Sequence, residues 1–294
     1  VKKKILATML AFLTLIAIVL VNQMTSSDQL DRLTELVVFG DSLSDVGNVF
    51  RATGGLYPPN PPYFQGRYSN GRVWVEHLAA KLNLSRDRIT NAACGGATTG
   101  SGSINGVPGL LAQVQSFTNQ QKQPNPNTLY VLWAGANDYL YGAATPDIPV
   151  SNLSRAITTL IDVGAKAVLV ANLPDLGNLP ATRNNANANT LNTLTQAHNL
   201  GLEKSLAELR QRLDTGIQLI QFDANSLYRA AIENPKQFGF ANVKSSCINS
   251  TTNCEDPNQF LFWDGIHPTT AAHQILGERA FSTITSRLSS KASS

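Results

Sequence analysis

Four short blocks of this sequence combine residue types that can carry acyl transfer. The first is Phe39-Gly40-Asp41-Ser42-Leu43-Ser44-Asp45, directly after the apolar run Leu36–Phe39. A serine at the exit of a strand sits on rigid backbone, and a helix opening beyond it offers N-terminal amides to developing negative charge. The same residues read equally well as helix caps, with Asp41, Ser42 and Ser44 bonding to free N–H groups. The chain contains no Gly-x-Ser-x-Gly, so this is not the usual nucleophile elbow. The second block is Phe262-Trp263-Asp264-Gly265-Ile266-His267-Pro268-Thr269. A nucleophilic serine needs a base of near-neutral pKa, and that base needs a group to orient it and to stabilise the imidazolium. Asp264 and His267 are three apart, close enough to meet within one turn ahead of a helix opened by Pro268. The alternative role for His267 is a structural histidine bonded within a turn. Neither His77, His198 nor His273 has a carboxylate in so constrained a setting; His77 follows Glu76, but adjacent helical positions point apart.

The third and fourth blocks supply hydrogen-bond donors. Gly135-Ala136-Asn137-Asp138 follows the run Leu129–Trp133, and Asn91-Ala92-Ala93-Cys94-Gly95-Gly96 accompanies a weaker apolar stretch at 88–93. The tetrahedral intermediate of acyl transfer carries an oxyanion, which Asn side chains and Gly N–H groups stabilise. Taken singly, Asn-Asp and Gly-Gly are ordinary turn chemistry. Their common placement at strand ends is what joins them to Ser42.

The elements that must position these blocks follow from periodicity. Short β-branched runs at Leu36–Phe39, Leu129–Trp133, Ala167–Ala171 and Ile217–Phe222, with 88–93 as a fifth, predict strands. Between them, Val73–Leu82, Leu110–Gln121, Leu153–Val163, Leu191–Leu213 and Ala271–Leu288 carry helical spacing. Strand and helix in alternation imply βαβ units and a mainly parallel sheet covered on both faces. Ligands of such sheets bind beyond the carboxyl ends of the strands, where all four blocks fall.

Taken together, Phe-Gly-Asp-Ser-Leu-Ser-Asp-Val-Gly-Asn, the Asn-x-Ala-x-Gly-Gly segment, Gly-Ala-Asn-Asp and Phe-Trp-Asp-Gly-Ile-His-Pro-Thr resemble the GDSL esterase/lipase family of SGNH hydrolases, over about residues 36 to 285. Gly66-Arg67-Tyr68-Ser69-Asn70-Gly71-Arg72-Val73-Trp74 is similar to the branch that includes plant-type GDSL lipases. The resemblance implies an α/β fold, a three-layer αβα sandwich of flavodoxin-like type on a five-stranded sheet, and hydrolysis of carboxylic esters. It makes Ser42 the nucleophile, His267 the base and Asp264 its partner. The oxyanion donors it implies are the Ser42 N–H, the Gly96 N–H and the Asn137 side chain. Gly96 is preferred to Gly95 because the family's glycine lies five residues after the block's asparagine, here Asn91. No metal and no cofactor are implied.

Composition bounds the remaining choices. Apolar residues at 43% and charged residues at 15% describe a globular chain of 294 residues. The formal net charge of +3 comes from Lys2, Lys3 and Lys4, which leaves 20 basic against 20 acidic residues elsewhere and no footprint for nucleic acid. Those lysines precede an apolar run from Ile5 to Val21 and a polar stretch, the layout of an export signal. Residues 1–27 are therefore expected to be an export signal or, alternatively, an uncleaved membrane anchor, with the hydrolase domain over 28–294. Export to the periplasm or the medium makes Cys247 and Cys254 a disulfide pair rather than free thiols. Too few other ligands surround that pair for a metal. Cys94, beside Gly95 and Gly96, is expected to be a buried inert thiol.

Residues 54–71 combine turn formers with Tyr57, Tyr63, Phe64 and Tyr68; Tyr63 and Phe64 are candidates for the wall of a substrate pocket, with surface packing as the alternative. The expected partner is a small-molecule or lipid ester, with membrane contact only through the N-terminal segment or a lipid substrate. Open alternatives are an acyltransferase or a phospholipase built on the same residues, and a non-catalytic envelope or adhesion module.

Overall fold

A computed structural model describes residues 33–120, 125–214, 216–248 and 254–291. The expected export segment, 1–27, lies outside the described residues, as does the loop interior 249–253. Five strands form the main sheet: β1 (Glu35–Gly40), β2 (Ile89–Asn91), β3 (Thr128–Trp133), β4 (Ala167–Ala171) and β5 (Gln218–Phe222). Their order is β2-β1-β3-β4-β5 and every pairing is parallel. This is the doubly wound, flavodoxin-like order, in which the chain leaves β1 to one side and returns to the other.

Alternation along the strands divides the core in two. Leu36, Val38, Leu129, Val131 and Leu169 face one apolar cluster, while Val37, Phe39, Tyr130, Leu132 and Val168 face the other. Helices α1 (Trp74–Lys81), α5 (Ala224–Glu233) and α6 (Thr270–Lys291) cover the first face; α2 (Leu110–Gln120), α3 (Asp147–Asp162) and much of α4 (Ala188–Arg212) cover the second. Leu153, Ala156, Ile157 and Leu160 place the apolar stripe of α3 at helical spacing. Three layers result, as the sequence predicted.

The structure differs from the periodicity in three places, each for a local reason. Helix α3 starts at Asp147 rather than Leu153, because Pro149 falls in the first turn, where no intrahelical N–H is needed. Helix α6 starts at Thr270, not Pro268, and Pro268 forms an antiparallel bridge with Phe262. A small parallel sheet pairs Asn242–Ser246 with Phe260–Phe262. Its first strand, Asn-Val-Lys-Ser-Ser, has no apolar run to announce it. Among the described residues no helix is long and apolar enough to cross a membrane.

Candidate active site

The site lies beyond the carboxyl ends of β1 and β3. Gly40, the last residue of β1, has φ +157°, and a Cβ there would collide with the Trp133 carbonyl of β3. Its N–H and C=O are both held by the buried Gln113 side chain of α2, each at 2.9 Å. The turn that follows is tied by Ser44 N–H and Asp45 N–H, which donate to the Asp41 carbonyl at 3.1 Å. Ser42 is thereby held at the sheet edge. Beneath it, the Trp74 indole N–H donates to Ser44 Oγ at 3.0 Å, and Trp74 packs against Trp133 and Phe222.

The small sheet delivers the second block. Phe260–Phe262 leads into a tight turn in which Trp263 N–H donates to the His267 carbonyl at 2.7 Å. Within that turn Asp264 Oδ1 accepts from the N–H groups of Ile266 at 2.8 Å and His267 at 2.7 Å. His267 Nδ1 lies 2.7 Å from Asp264 Oδ2, and His267 Nε2 lies 2.8 Å from Ser42 Oγ. Ser42, His267 and Asp264 thus form one unbroken hydrogen-bonded line. Burial alone would raise the Asp264 carboxyl, but the His267 charge, the His267 ring and the two backbone N–H groups outweigh it and bring it down to about 2. An ionised carboxylate only accepts, so the proton sits on Nδ1 and the Nε2 lone pair faces the serine hydroxyl.

The donor blocks converge on the same place. Gly95 N–H donates to Asp45 Oδ2 at 2.9 Å, whereas Ser42 N–H and Gly96 N–H have no partner among the described residues. The Asn137 amide donates to the Ala97 carbonyl at 2.9 Å, which leaves its second N–H uncommitted. Asp138 fixes the segment between them by accepting from Thr99 N–H at 2.9 Å and Thr99 Oγ1 at 2.7 Å.

Sequence reasoning missed the residues that lock these blocks to one another. Asp45 accepts from Gly47 N–H, Asn48 N–H and Gly95 N–H, so one fully buried carboxylate joins the serine turn to the glycine turn. Asn48 donates to the Ala93 carbonyl at 2.7 Å, and Asn91 donates to the Ser44 carbonyl at 2.8 Å. The Asp-x-Gly-Asn spacing was the available signal, since an Asp bonds the N–H groups two and three residues on. Tyr68, one of the aromatic residues of 54–71, has its ring centroid 5.1 Å from that of His267 and fills the space beside Gly95.

Of the two pocket candidates, Tyr63 reaches the site and donates to Asp264 Oδ2 at 2.7 Å. Phe64 lies under the Arg67 guanidinium, 5.7 Å from it, and Arg67 is in turn clamped on Glu76. That arrangement is scaffold for the loop. Cys247 and Cys254 are joined, with Cα atoms 4.9 Å apart, and pack on Trp263 next to Asp264. Burial, with the Asp45 charge, pushes the Cys94 thiol up to about 11, so it carries no thiolate near neutrality. Among the described residues no cluster of His, Cys, Asp and Glu could hold a metal ion.

Asp41, beside the serine, is a second buried carboxyl. Burial pushes it from 3.8 up to about 7, against the Leu43 N–H and the His267 charge. A raised acid stabilises the fold below its unfolded pKa, and that contribution is lost as pH rises through the folded value. Asp41→Asn keeps an acceptor for Leu43 N–H and has nothing to ionise. Its Tm relative to the unchanged chain is expected to rise by about 5 °C between pH 4 and pH 7. Thermal unfolding across that range checks it; a pH-independent difference would contradict the assignment.

The model of the family described as GDSL-like Lipase/Acylhydrolase matches residues 36–280. The chain belongs to that family. GDSL lipases and acylhydrolases cleave carboxylic esters, and this chain is a hydrolase of that class. It is 29% identical to a phosphatidylcholine-sterol acyltransferase of Aeromonas hydrophila, over 89% of this chain and 93% of that protein. It is 26% identical to a GDSL esterase/lipase of Arabidopsis thaliana, over 85% of this chain and 88% of that one. Among solved structures it resembles the inhibitor-bound aryl esterase of M. smegmatis, with TM-score 0.55 and 17% identity over 86% of this chain and 99% of that one. At that identity the likeness shows the GDSL fold alone.

Proposed function

We infer that the enzyme hydrolyses its ester in two steps through an acyl-Ser42 intermediate. The observation that carries this reading is the line Ser42 Oγ–His267 Nε2–Asp264 Oδ2, with separations of 2.8 and 2.7 Å between catalytic groups. His267 Nε2 takes the Ser42 proton as Oγ attacks the carbonyl carbon. The oxyanion receives the Ser42 N–H, the Gly96 N–H and the free N–H of Asn137. Collapse expels the alcohol, which takes the proton from His267. Water then enters, gives a proton to His267 and attacks the acyl carbon; collapse returns the proton to Ser42 Oγ and releases the acid.

The surroundings support an ester with an apolar chain. Leu56, Tyr57, Ile104, Tyr141 and Ile148 are exposed, and all lie on the segments that leave β1, β2 and β3 at the Ser42 edge. A second reading, transfer of the acyl group to an alcohol, is favoured by the relative named as an acyltransferase. Both readings share the acyl-enzyme, which supplies the test. Esters with one acyl group and different leaving groups must give the same ratio of acid to transfer product at a fixed concentration of added alcohol. A ratio that varies with the leaving group would mean that no common intermediate forms. The absolute ratio then says whether water or the alcohol is the preferred acceptor.

The reading extends to location. Lys2–Lys4 ahead of the run Ile5–Val21 support export of the enzyme. Amino-terminal sequencing of protein from the native cell tests this: a cytoplasmic, membrane-free protein that keeps residues 1–27 would contradict it.

A further inference from the structure

The Asp264 carboxylate has four donors, and they differ in origin. Three come from its own turn: Ile266 N–H and His267 N–H on Oδ1, and His267 Nδ1–H on Oδ2. The fourth is the Tyr63 hydroxyl, 201 residues away in sequence, which donates to Oδ2 at 2.7 Å. The turn donors travel with the turn. Tyr63 is the donor that ties the carboxylate to loop 54–71, the segment that follows the Ser42 block and also brings Tyr68 against the His267 ring.

Tyr63 is itself well held. Its ring packs against the buried cluster of Cys247, Ile248 and Trp263, and its N–H donates to the Pro59 carbonyl at 3.1 Å. Burial, the Asp264 charge and the bond to Asp264 all raise its phenol, so it remains a protonated donor over the working range. It therefore shares Oδ2 permanently with His267 Nδ1.

We propose that Tyr63 is a positioning residue that holds the Asp264 carboxylate against the His267 imidazole. The proposal rests on the roles given above to Ser42, His267 and Asp264. Without the phenol the carboxylate keeps only the donors of its own turn, so Oδ2 is no longer tied to loop 54–71 and its placement against His267 Nδ1 loosens. The other groups that act on His267 are the Tyr68 ring, Asp41 and His273. Those that act on Tyr63 are Asp264 and Tyr57. Tyr63→Phe leaves every one of these side chains in place.

The test uses the full chain and a water-soluble p-nitrophenyl ester. In Tyr63→Phe kcat is expected to fall about tenfold with KM nearly unchanged, and in an Asp264→Ala background Tyr63→Phe should cost nothing further. A second readout needs no turnover: the downfield Nδ1 proton of His267, held in its bond to Asp264, should exchange with solvent faster in Tyr63→Phe. Unchanged kcat with unchanged exchange of that proton, whatever the change in Tm, would overturn the proposal, as would an equal loss with and without the Asp264 carboxylate. Ser42→Ala separates the two levels. If Ser42→Ala retains full activity, the roles of the triad fall. If Ser42→Ala is inactive and kcat of Tyr63→Phe is unchanged, the role of Tyr63 alone falls.

Discussion

Ser42→Ala and His267→Ala should each lower kcat for a p-nitrophenyl ester by about 10⁶-fold, and the double variant should be no worse than either single one. The reason is geometric. Ser42 Oγ and His267 Nε2 are 2.8 Å apart, and in the proposed mechanism they exchange one proton, so neither has a use in attack without the other. Rates measured on the three variants check this, and additive losses would show that the two side chains do not act as a unit. Asp264→Ala should be milder by about two orders of magnitude, since the base survives but loses the acceptor that fixes its tautomer. The fold should tolerate all three changes. Ser42 is held by backbone contacts around Gly40 and Asp41, and the turn of His267 by backbone contacts through Trp263 and Thr269.

Asn137→Ala should lower kcat by about 10²–10³, or about 3–4 kcal/mol of transition-state stabilisation, with little change in KM. The amide donates to the Ala97 carbonyl and has one N–H left, which in the proposed mechanism acts on charge that exists only as the carbonyl becomes tetrahedral. The substitution also removes the Ala97 tie, but Asp138 still holds Thr99 through two bonds, so the turn should stay docked. A fluorophosphonate should label this variant, because nucleophile and base are untouched. Steady-state kinetics and labelling together decide it. Wild-type kcat in a folded Asn137→Ala chain would remove Asn137 from the oxyanion site.

The parallel sheet and the pairing of Asp264 with His267 were legible in the sequence, and the contacts that were not share a cause. Leu129–Trp133 and Ala167–Ala171 read as strands because both faces are buried and the runs are continuously apolar. Asp264 and His267 read as a pair because three residues of sequence constrain them. The choice between Gly95 and Gly96 rested on family spacing; in the structure Gly95 N–H is committed to Asp45 and Gly96 N–H is not. Gln113 clamping Gly40, Asp45 joining two turns, and Tyr63 on Asp264 span 73, 50 and 201 residues. Polar contacts at such separations leave no periodic trace, because they depend on where loops meet rather than on local pattern. Phe64 shows the converse: an aromatic residue in an aromatic loop reads as a pocket wall, yet the nearby Arg67 takes its ring face.

The central claim is that the acyl group passes through Ser42. Reaction of the full chain with a fluorophosphonate, followed by intact-mass measurement and peptide mapping, tests it most directly. One adduct per chain, on the peptide that carries Ser42 and absent in Ser42→Ala, is the predicted result. An adduct on any other residue, or ester hydrolysis at full rate after Ser42 has been removed, would contradict the account.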